Sequence, residues 1–451
     1  MLPVEVLEVL EPPVLEFKAG KKAIDPVKAF TILGCSPLKT PDLHITPEIH
    51  IMIPKGNREC RGVVTILNDL KKGKLTGKFA RSRYKPFLEV YNFDLDIKEP
   101  EEYFDESEIY RKIDEISRLS NKKNHVVIIV SLKRSPLDGF YYNIKVPSIQ
   151  KGVQTQFILK QTIEIYINVM SEEDKGDFLW NFSLSIFSKL GGIPWKLQKI
   201  LRGIVAFISL NTVTSYEEGI ITREGVATLE IANKWGEPIG RFFAPRIRVE
   251  KERDAIVVDL SSIQILVKGA LDRIEKELID LEKSKLEDHI IIHVNDRYAD
   301  SVYNAIIKTV ASKGFRKFKI IHIQEEGGLR LYDPRKNIYR AWPEEGSYWF
   351  LEKGKIAFLY TLGKWKYTTS EPYIIGARDV SPLQVNFVTG NEGSKLTKDD
   401  LHHIYHLTRL HYYSADIPRI KMPSTIRLGT KAAHLAACGL TRSDFDISYL
   451  Y

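Results

Sequence analysis

Hydrophobic and polar positions alternate along the chain in two distinct rhythms. After a start with little periodicity, in which the Pro12–Pro13 pair breaks any helix, apolar runs fit for strands take turns with stretches of helical spacing. The segment EIHIMIP reads as a strand, and VVTILNDLKKG reads as a helix ending at Gly73. Residues 107–120 have the amphipathic spacing of a helix, and HVVIIVSL (125–132) reads as a buried strand. Strands alternating with helices imply a parallel sheet covered on both faces. DFLWNFSLSIFSKLGG then reads as a mostly apolar helix closed by Gly191–Gly192, with Pro194 just beyond.

Past residue 200 the rhythm changes. Residues 203–210, 226–232 and 239–243 are strands in quick succession, spaced as an antiparallel meander. A long helix (263–281), a strand (289–294), a helix (300–311) and a strand (318–322) follow. A meander followed by β-α-β is the order of a ribonuclease-H-like domain. The expected fold is therefore α/β, cut near residue 200, with an extended segment over 1–30 and domains over 31–200 and 201–451. No internal repeat or low-complexity segment is present.

Composition adds bounds. At 451 residues the chain is long enough for two or three cores. No apolar run reaches the ~18 residues of a membrane span, and the first residues lack the basic region of a signal peptide; a cytoplasmic location is the expectation. Cys35, Cys60 and Cys438 lie far apart, so neither a disulfide framework nor a cysteine zinc site is indicated. The net charge of +8 and pI of about 9.0 favour a polyanionic partner over an acidic-surface role.

One set of polar residues carries chemistry. Tyr141 and Lys145 are four apart, which on a helix puts both on one face. Gln156 follows in QTQFIL, and Asn181 and Lys189 lie two turns apart on the next apolar helix. Two lysines to neutralise a phosphate dianion, amides to donate, and a tyrosine ring to stack on a base make a terminal-phosphate pocket. The competing reading is unrelated surface decoration.

These five residues, in this order and with SKLGGIPW (188–195) around the last, resemble the MID-domain pocket of Argonaute proteins, and SKLGG-x-PW resembles the MID–PIWI junction. The resemblance implies a Rossmann-like MID domain followed by a ribonuclease-H-like PIWI domain, of the short two-domain type. It implies that Lys145, Gln156, Asn181 and Lys189 grip the 5′-phosphate of a short guide RNA while Tyr141 stacks on its first base. It further implies that the Tyr451 carboxylate helps hold Mg²⁺ beside that phosphate. Complementary target DNA, a separately encoded effector protein and a role in antiviral defence are implied partners and setting.

The same resemblance locates the carboxylates of a two-metal nuclease at Ser209, Asn295 and Thr430, none of which is acidic. A hydroxyl or amide cannot supply the charge such a centre needs, so the expectation is a protein that binds without cleaving. Asp296 is one residue from the second position. An active guided endonuclease with shifted catalytic residues, or a single-strand binder without a guide, remain the alternatives.

Three further features have bland readings. The basic stretch KKGKLTGKFARSRYK (71–85) reads as a solvated helix end and loop, with a nucleic-acid backbone as the alternative. His402 and His406, at i and i+4, read as surface histidines on a helix capped by Thr397, with zinc as the alternative. Trp342, Trp349 and Trp365 read as core or interface packing residues of a β-like segment, with base stacking or contact with a partner protein as the alternatives.

Overall fold

The computed structural model describes residues 8–42, 45–73, 87–132, 139–198, 204–217, 220–233, 238–243, 249–252, 255–277, 289–325, 343–362, 381–391, 393–410, 412, 421–440 and 445–450. Trp342, Trp365, Tyr451 and most of the basic stretch lie outside these residues.

The chain opens with short strands β1 (Glu8–Val9), β2 (Leu15–Glu16) and β3 (Lys22–Ala23), then helix α1 (Pro26–Thr31). Asp25 caps α1 by accepting from the Val27 and Lys28 amides, with Pro26 at its first position. The expected extended start therefore holds helix as well as strand. It is also tied down: β1 pairs with a distant strand of the second domain, while β2 pairs with β3 and with β9 (Lys196–Leu197).

The first α/β unit runs β4 (Glu48–Pro54), α2 (Gly62–Lys72), α3 (Phe87–Tyr91), β5 (Asp96–Ile97), β6 (Glu101–Tyr103), α4 (Glu106–Ser117), β7 (His125–Ser131), α5 (Phe140–Lys151), β8 (Gln154–Leu159), α6 (Lys160–Asn168) and α7 (Glu172–Lys189). The sheet order is β5-β4-β7-β8, with β6 also on β4, and every pairing is parallel. Helices on both faces explain why all seven β7 residues are buried. Helix α2 ends as its sequence dictates, with Gly73 left-handed at φ 59°.

The second unit begins with a long hairpin, β10 (Ile204–Glu217) and β11 (Ile220–Asn233), continued by β12 (Pro238–Phe243). A small ribbon of β13 (Val249–Glu252) and β14 (Ala255–Val258), absent from the sequence reading, precedes α8 (Leu260–Glu277). Then come β15 (His289–Val294), α9 (Asp300–Ser312), β16 (Lys317–Glu325), β17 (Ser347–Leu351), β18 (Ile356–Leu359), β19 (Leu383–Gly390), α10 (Lys398–Leu407), α11 (Ser424–Ala437) and β20 (Phe445–Asp446). The ten-stranded order β1-β17-β18-β19-β16-β15-β10-β11-β12-β20 contains the expected ribonuclease-H-like arrangement. In it β12, β11 and β10 are antiparallel, and β10, β15 and β16 are parallel.

The SKLGGIPW segment joins the two units. Gly191 has φ +91°, and a Cβ on Gly192 would sit 2.4 Å from the Phe187 ring, so both positions need glycine. The Trp195 indole donates to the Arg409 carbonyl at 2.9 Å, and the Tyr412 hydroxyl donates to the Trp195 carbonyl at 2.7 Å. The tryptophan thereby bolts the junction to the second domain.

Three sequence expectations can be placed at once. All three cysteines are free. Trp349 packs in β17, its ring stacked on Phe358 at 4.8 Å. Of the two histidines expected at the surface of α10, His402 is half-buried, whereas His406 is buried, as is His403, and His406 Nε2 faces His402 Nε2 at 3.0 Å. Thr397 and Asp400 form a reciprocal capping box, which turns the following turns inward with the helix's apolar residues. Burial, the larger effect, and the neighbouring histidines push His406 well below the usual imidazole range, so it sits neutral in the core.

A cationic cavity between the domains

Helix α7 starts on Ser171, whose hydroxyl accepts from the Asp174 amide, and carries acids in its first turn and Lys189 in its last, as the helix dipole favours. Its positions 178, 181, 182, 185 and 189 recur at helical spacing and share one face. Helix α11 of the second domain brings Arg427 and Lys431, one turn apart, to the opposite side. Between them lies a cavity of about 410 Å³ lined by Gln156, Phe178, Asn181, Phe182, Ser185, Arg427, Leu428 and Lys431.

Gln156 forms the floor. Its carbonyl accepts from the Ser185 hydroxyl at 3.0 Å, and its amide donates to the Phe157 carbonyl at 3.0 Å. Those bonds fix the side chain and leave a second amide hydrogen to donate.

Behind this lining stand two buried lysines. Lys145 is 1% exposed and donates to the Thr155 carbonyl at 3.1 Å and hydroxyl at 3.2 Å. Lys189 is 2% exposed. Burial, first, and the positive charge of Lys431 hold Lys145 well below the ordinary lysine range. Burial again, then Lys145 and Lys431, do the same to Lys189. Lys431 itself is lowered to about 8, by burial and then by Arg427. Three ammonium groups that repel one another in a low-dielectric site are stabilised by a multiply charged anion.

The five residues singled out in the sequence are thus placed unequally. Gln156 and Asn181 line the cavity, and Lys145 and Lys189 act on it through charge. Tyr141 stands outside the lining, its half-buried ring against Phe157 at 4.8 Å and Tyr142 at 5.0 Å. Sequence reasoning missed Ser185, Arg427 and Lys431. Ser185 lies four residues from both Asn181 and Lys189, a spacing that marks it; the α11 cations carry no local signal. Tyr451 lies outside the described residues. The segment leading to it is docked, because Gln154 Nε2 donates to the buried Ser448 hydroxyl at 2.9 Å.

Mg²⁺ requires oxygen ligands, and the described residues lining the cavity include no carboxylate. By themselves they suit an anion, and the one carboxylate expected beside them, that of Tyr451, lies outside the described residues.

The positions expected for a nuclease are knit together by neutral groups. Ser209 of β10 is Cα partner to His293 of β15. Asn211 Nδ2 donates to the Ser209 hydroxyl at 2.7 Å and to the Thr425 carbonyl at 3.3 Å. Asn295 brackets the Thr212 backbone, accepting from its amide at 2.9 Å and donating to its carbonyl at 2.8 Å. Asp296 accepts from the Thr212 hydroxyl at 2.5 Å. His293 bonds the Thr425 hydroxyl at 2.9 Å, and burial drives it down to about 3, a neutral ring. Thr430 lies beside Gly429 on α11, which packs against Ser209 and Asn211. Among the described residues, no three His, Cys, Asp or Glu side chains converge here.

No family model matches the chain, and no curated protein matches it by sequence. Solved structures do match. Clostridium butyricum Argonaute, bound to a guide DNA and a 19-mer target DNA, shares 19% identity with a TM-score of 0.69, over 99% of this chain and 55% of that one. Drosophila Piwi shares 14% identity with a TM-score of 0.64, over 98% and 56%. Aquifex aeolicus Argonaute shares 18% identity with a TM-score of 0.61, over 98% and 55%. The chain spans little more than half the length of these proteins. It has the α/β fold of Argonaute MID and PIWI domains. None of its described helices is long and apolar enough to cross a membrane.

Proposed function

We propose that the chain binds a short nucleic-acid guide by its 5′-phosphate in the cavity between α7 and α11, and uses that guide to recognise a complementary strand. The observation that carries this reading is the meeting of Gln156 and Asn181 of the first domain with Arg427 and Lys431 of the second on one cavity whose described lining includes no acid, with the buried Lys145 and Lys189 coupled to Lys431 by charge. A phosphate dianion there neutralises charges that otherwise repel. Arg427, Gln156 and Asn181 supply directed donors to its oxygens. Sequence recognition then passes to base pairing, and the protein contacts backbone and shape.

RNA as the guide, DNA as the target, a separate effector and a defensive role extend this reading from the resemblance of the sequence motifs alone. Binding without cutting rests on the neutral side chains of Ser209, Asn295 and Thr430. Mg²⁺ beside the phosphate belongs to the same extension of the reading, with the Tyr451 carboxylate and the phosphate oxygens as its ligands.

The test is a comparison of otherwise identical short strands bearing 5′-phosphate or 5′-hydroxyl, with sequencing of the nucleic acid that co-purifies from the native host. A 5′-phosphate preference of tenfold or more that is lost in Lys431→Ala supports the proposal. Equal affinity for both strands refutes it and favours a binder that needs no guide.

A further inference from the structure

A second site is formed in the first domain by residues that take no part in the cavity. Glu48 and His50 lie two apart on β4, so both point to one face of the sheet. The neighbouring strand β7 places His125 directly opposite Glu48. Strand register alone thus gathers two imidazoles and a carboxylate at one end of the parallel sheet. His50 Nε2 lies 3.0 Å from His125 Nδ1. Glu48 Oε2 lies 3.8 Å from the first and 3.9 Å from the second.

From these three separations we infer that Glu48, His50 and His125 form a zinc site with an open coordination position. The nearest point equidistant from the three atoms lies in their plane, about 2.1 Å from each, so a small outward movement of the ligands lets a tetrahedral ion sit above that plane at Zn–N and Zn–O bond length. The donor set, two nitrogens and one carboxylate oxygen, suits Zn²⁺ over the oxygen-seeking Mg²⁺ and Ca²⁺. Among the described residues this is the one place where three such donors meet. The histidines are buried and Glu48 is half-buried, so the carboxylate is the donor nearest solvent.

Without metal, one imidazole donates to the other, and Lys98 Nζ sits 3.1 Å from Glu48 Oε2. That ammonium stands in for the missing charge. It also contacts Asp96 at 2.6 Å, so an arriving ion displaces it without leaving it unpaired. Zinc here cross-links β4 to β7, parallel neighbours with no turn between them.

The experiment is calorimetric titration of the chelator-stripped full-length protein with ZnCl₂, repeated with CoCl₂ to read the visible bands of tetrahedral cobalt. One equivalent per chain is expected. Glu48→Gln should weaken it at least tenfold, while circular dichroism shows the fold intact. Lys98→Met should tighten it by removing the competing cation. His402→Gln serves as a control for uptake at the other histidine pair and should change nothing. Absence of a stoichiometric site, or one unmoved by Glu48→Gln and Lys98→Met, overturns the inference.

Discussion

Lys145, 1% exposed in the first domain, is held well below the ordinary lysine range by its burial and, second, by the charge of Lys431 on the last long helix of the second domain. The two ammonium groups therefore work against the interface that brings them together. Such an arrangement persists where a ligand needs it, because buried like charges otherwise cost stability. Function and stability should come apart when one of them is removed.

Lys145→Met keeps the stem's volume and deletes the buried charge. The unliganded variant should gain about 1 kcal/mol or more, read as a rise of a few degrees in thermal midpoint. At the same time its preference for 5′-phosphate over 5′-hydroxyl strands should fall at least tenfold. A lower midpoint would mean that the bonds to Thr155 outweigh the charge repulsion, and that the lysine serves structure.

The pH dependence has two opposite signs. Lys431 is lowered to about 8 in the fold, whereas an unfolded lysine keeps its proton to about 10.4. Between those values the unfolded chain binds more protons, so stability of the free protein rises with pH across roughly 8–10. A bound phosphate raises the Lys431 value again, so binding takes up a proton in the same window. Affinity for 5′-phosphate should therefore fall above about pH 8, approaching tenfold per unit. It should fall again below about 6, where the phosphate regains its second proton. Affinities measured from pH 5.5 to 9.5 check both limbs, and a flat upper limb would remove Lys431 from the site.

How far these features could be read in the sequence depends on range. The strand 289–294 and the helix from 300 emerge at the positions their periodicity marks, because each is specified by its own residues. Gln156 and Asn181 of the cavity lining were legible because each sits on an element its own residues specify, a strand and an apolar helix. Arg427 and Lys431 were not, because their part depends on how α11 docks against α7. His406 was misread as a surface group, since polarity in sequence does not say which helix faces the fold covers. Glu48, His50 and His125 become a cluster only once β4 and β7 are in register, the two histidines being 75 residues apart.

Gly429 marks where α11 meets the sheet. A Cβ there would lie 1.8 Å from Asn211 Nδ2 and 2.8 Å from Ser209 Oγ. Asn211 is fully buried and cannot swing away without losing its bonds to Ser209 and Thr425. Gly429→Ala should cost about 1–3 kcal/mol, measured as a lower denaturation midpoint at unchanged slope. It should also weaken 5′-phosphate binding, since a displaced α11 carries Arg427 and Lys431 with it. Normal stability in this variant would show that the helix has room the structure does not give it.

Asp296 decides between binding and cutting. Two-metal phosphodiester cleavage needs several carboxylates on one pair of ions, and Ser209, Asn295 and Thr430 offer a hydroxyl, an amide and a hydroxyl. Asp296 is the acid beside them, and its carboxylate is occupied by the Thr212 hydroxyl. If it serves structure, Asp296→Asn should cost about 1 kcal/mol through that bond and leave guide and target affinity within a factor of two. The guide-loaded protein should leave a complementary target intact with either Mg²⁺ or Mn²⁺, before and after the substitution. If Asp296 instead belongs to a shifted catalytic centre, the native protein should release a defined fragment, and Asp296→Asn should abolish it by orders of magnitude. Denaturing gels of end-labelled target, run for both proteins with both metals, separate the two cases, since a contaminating nuclease would cut equally in each.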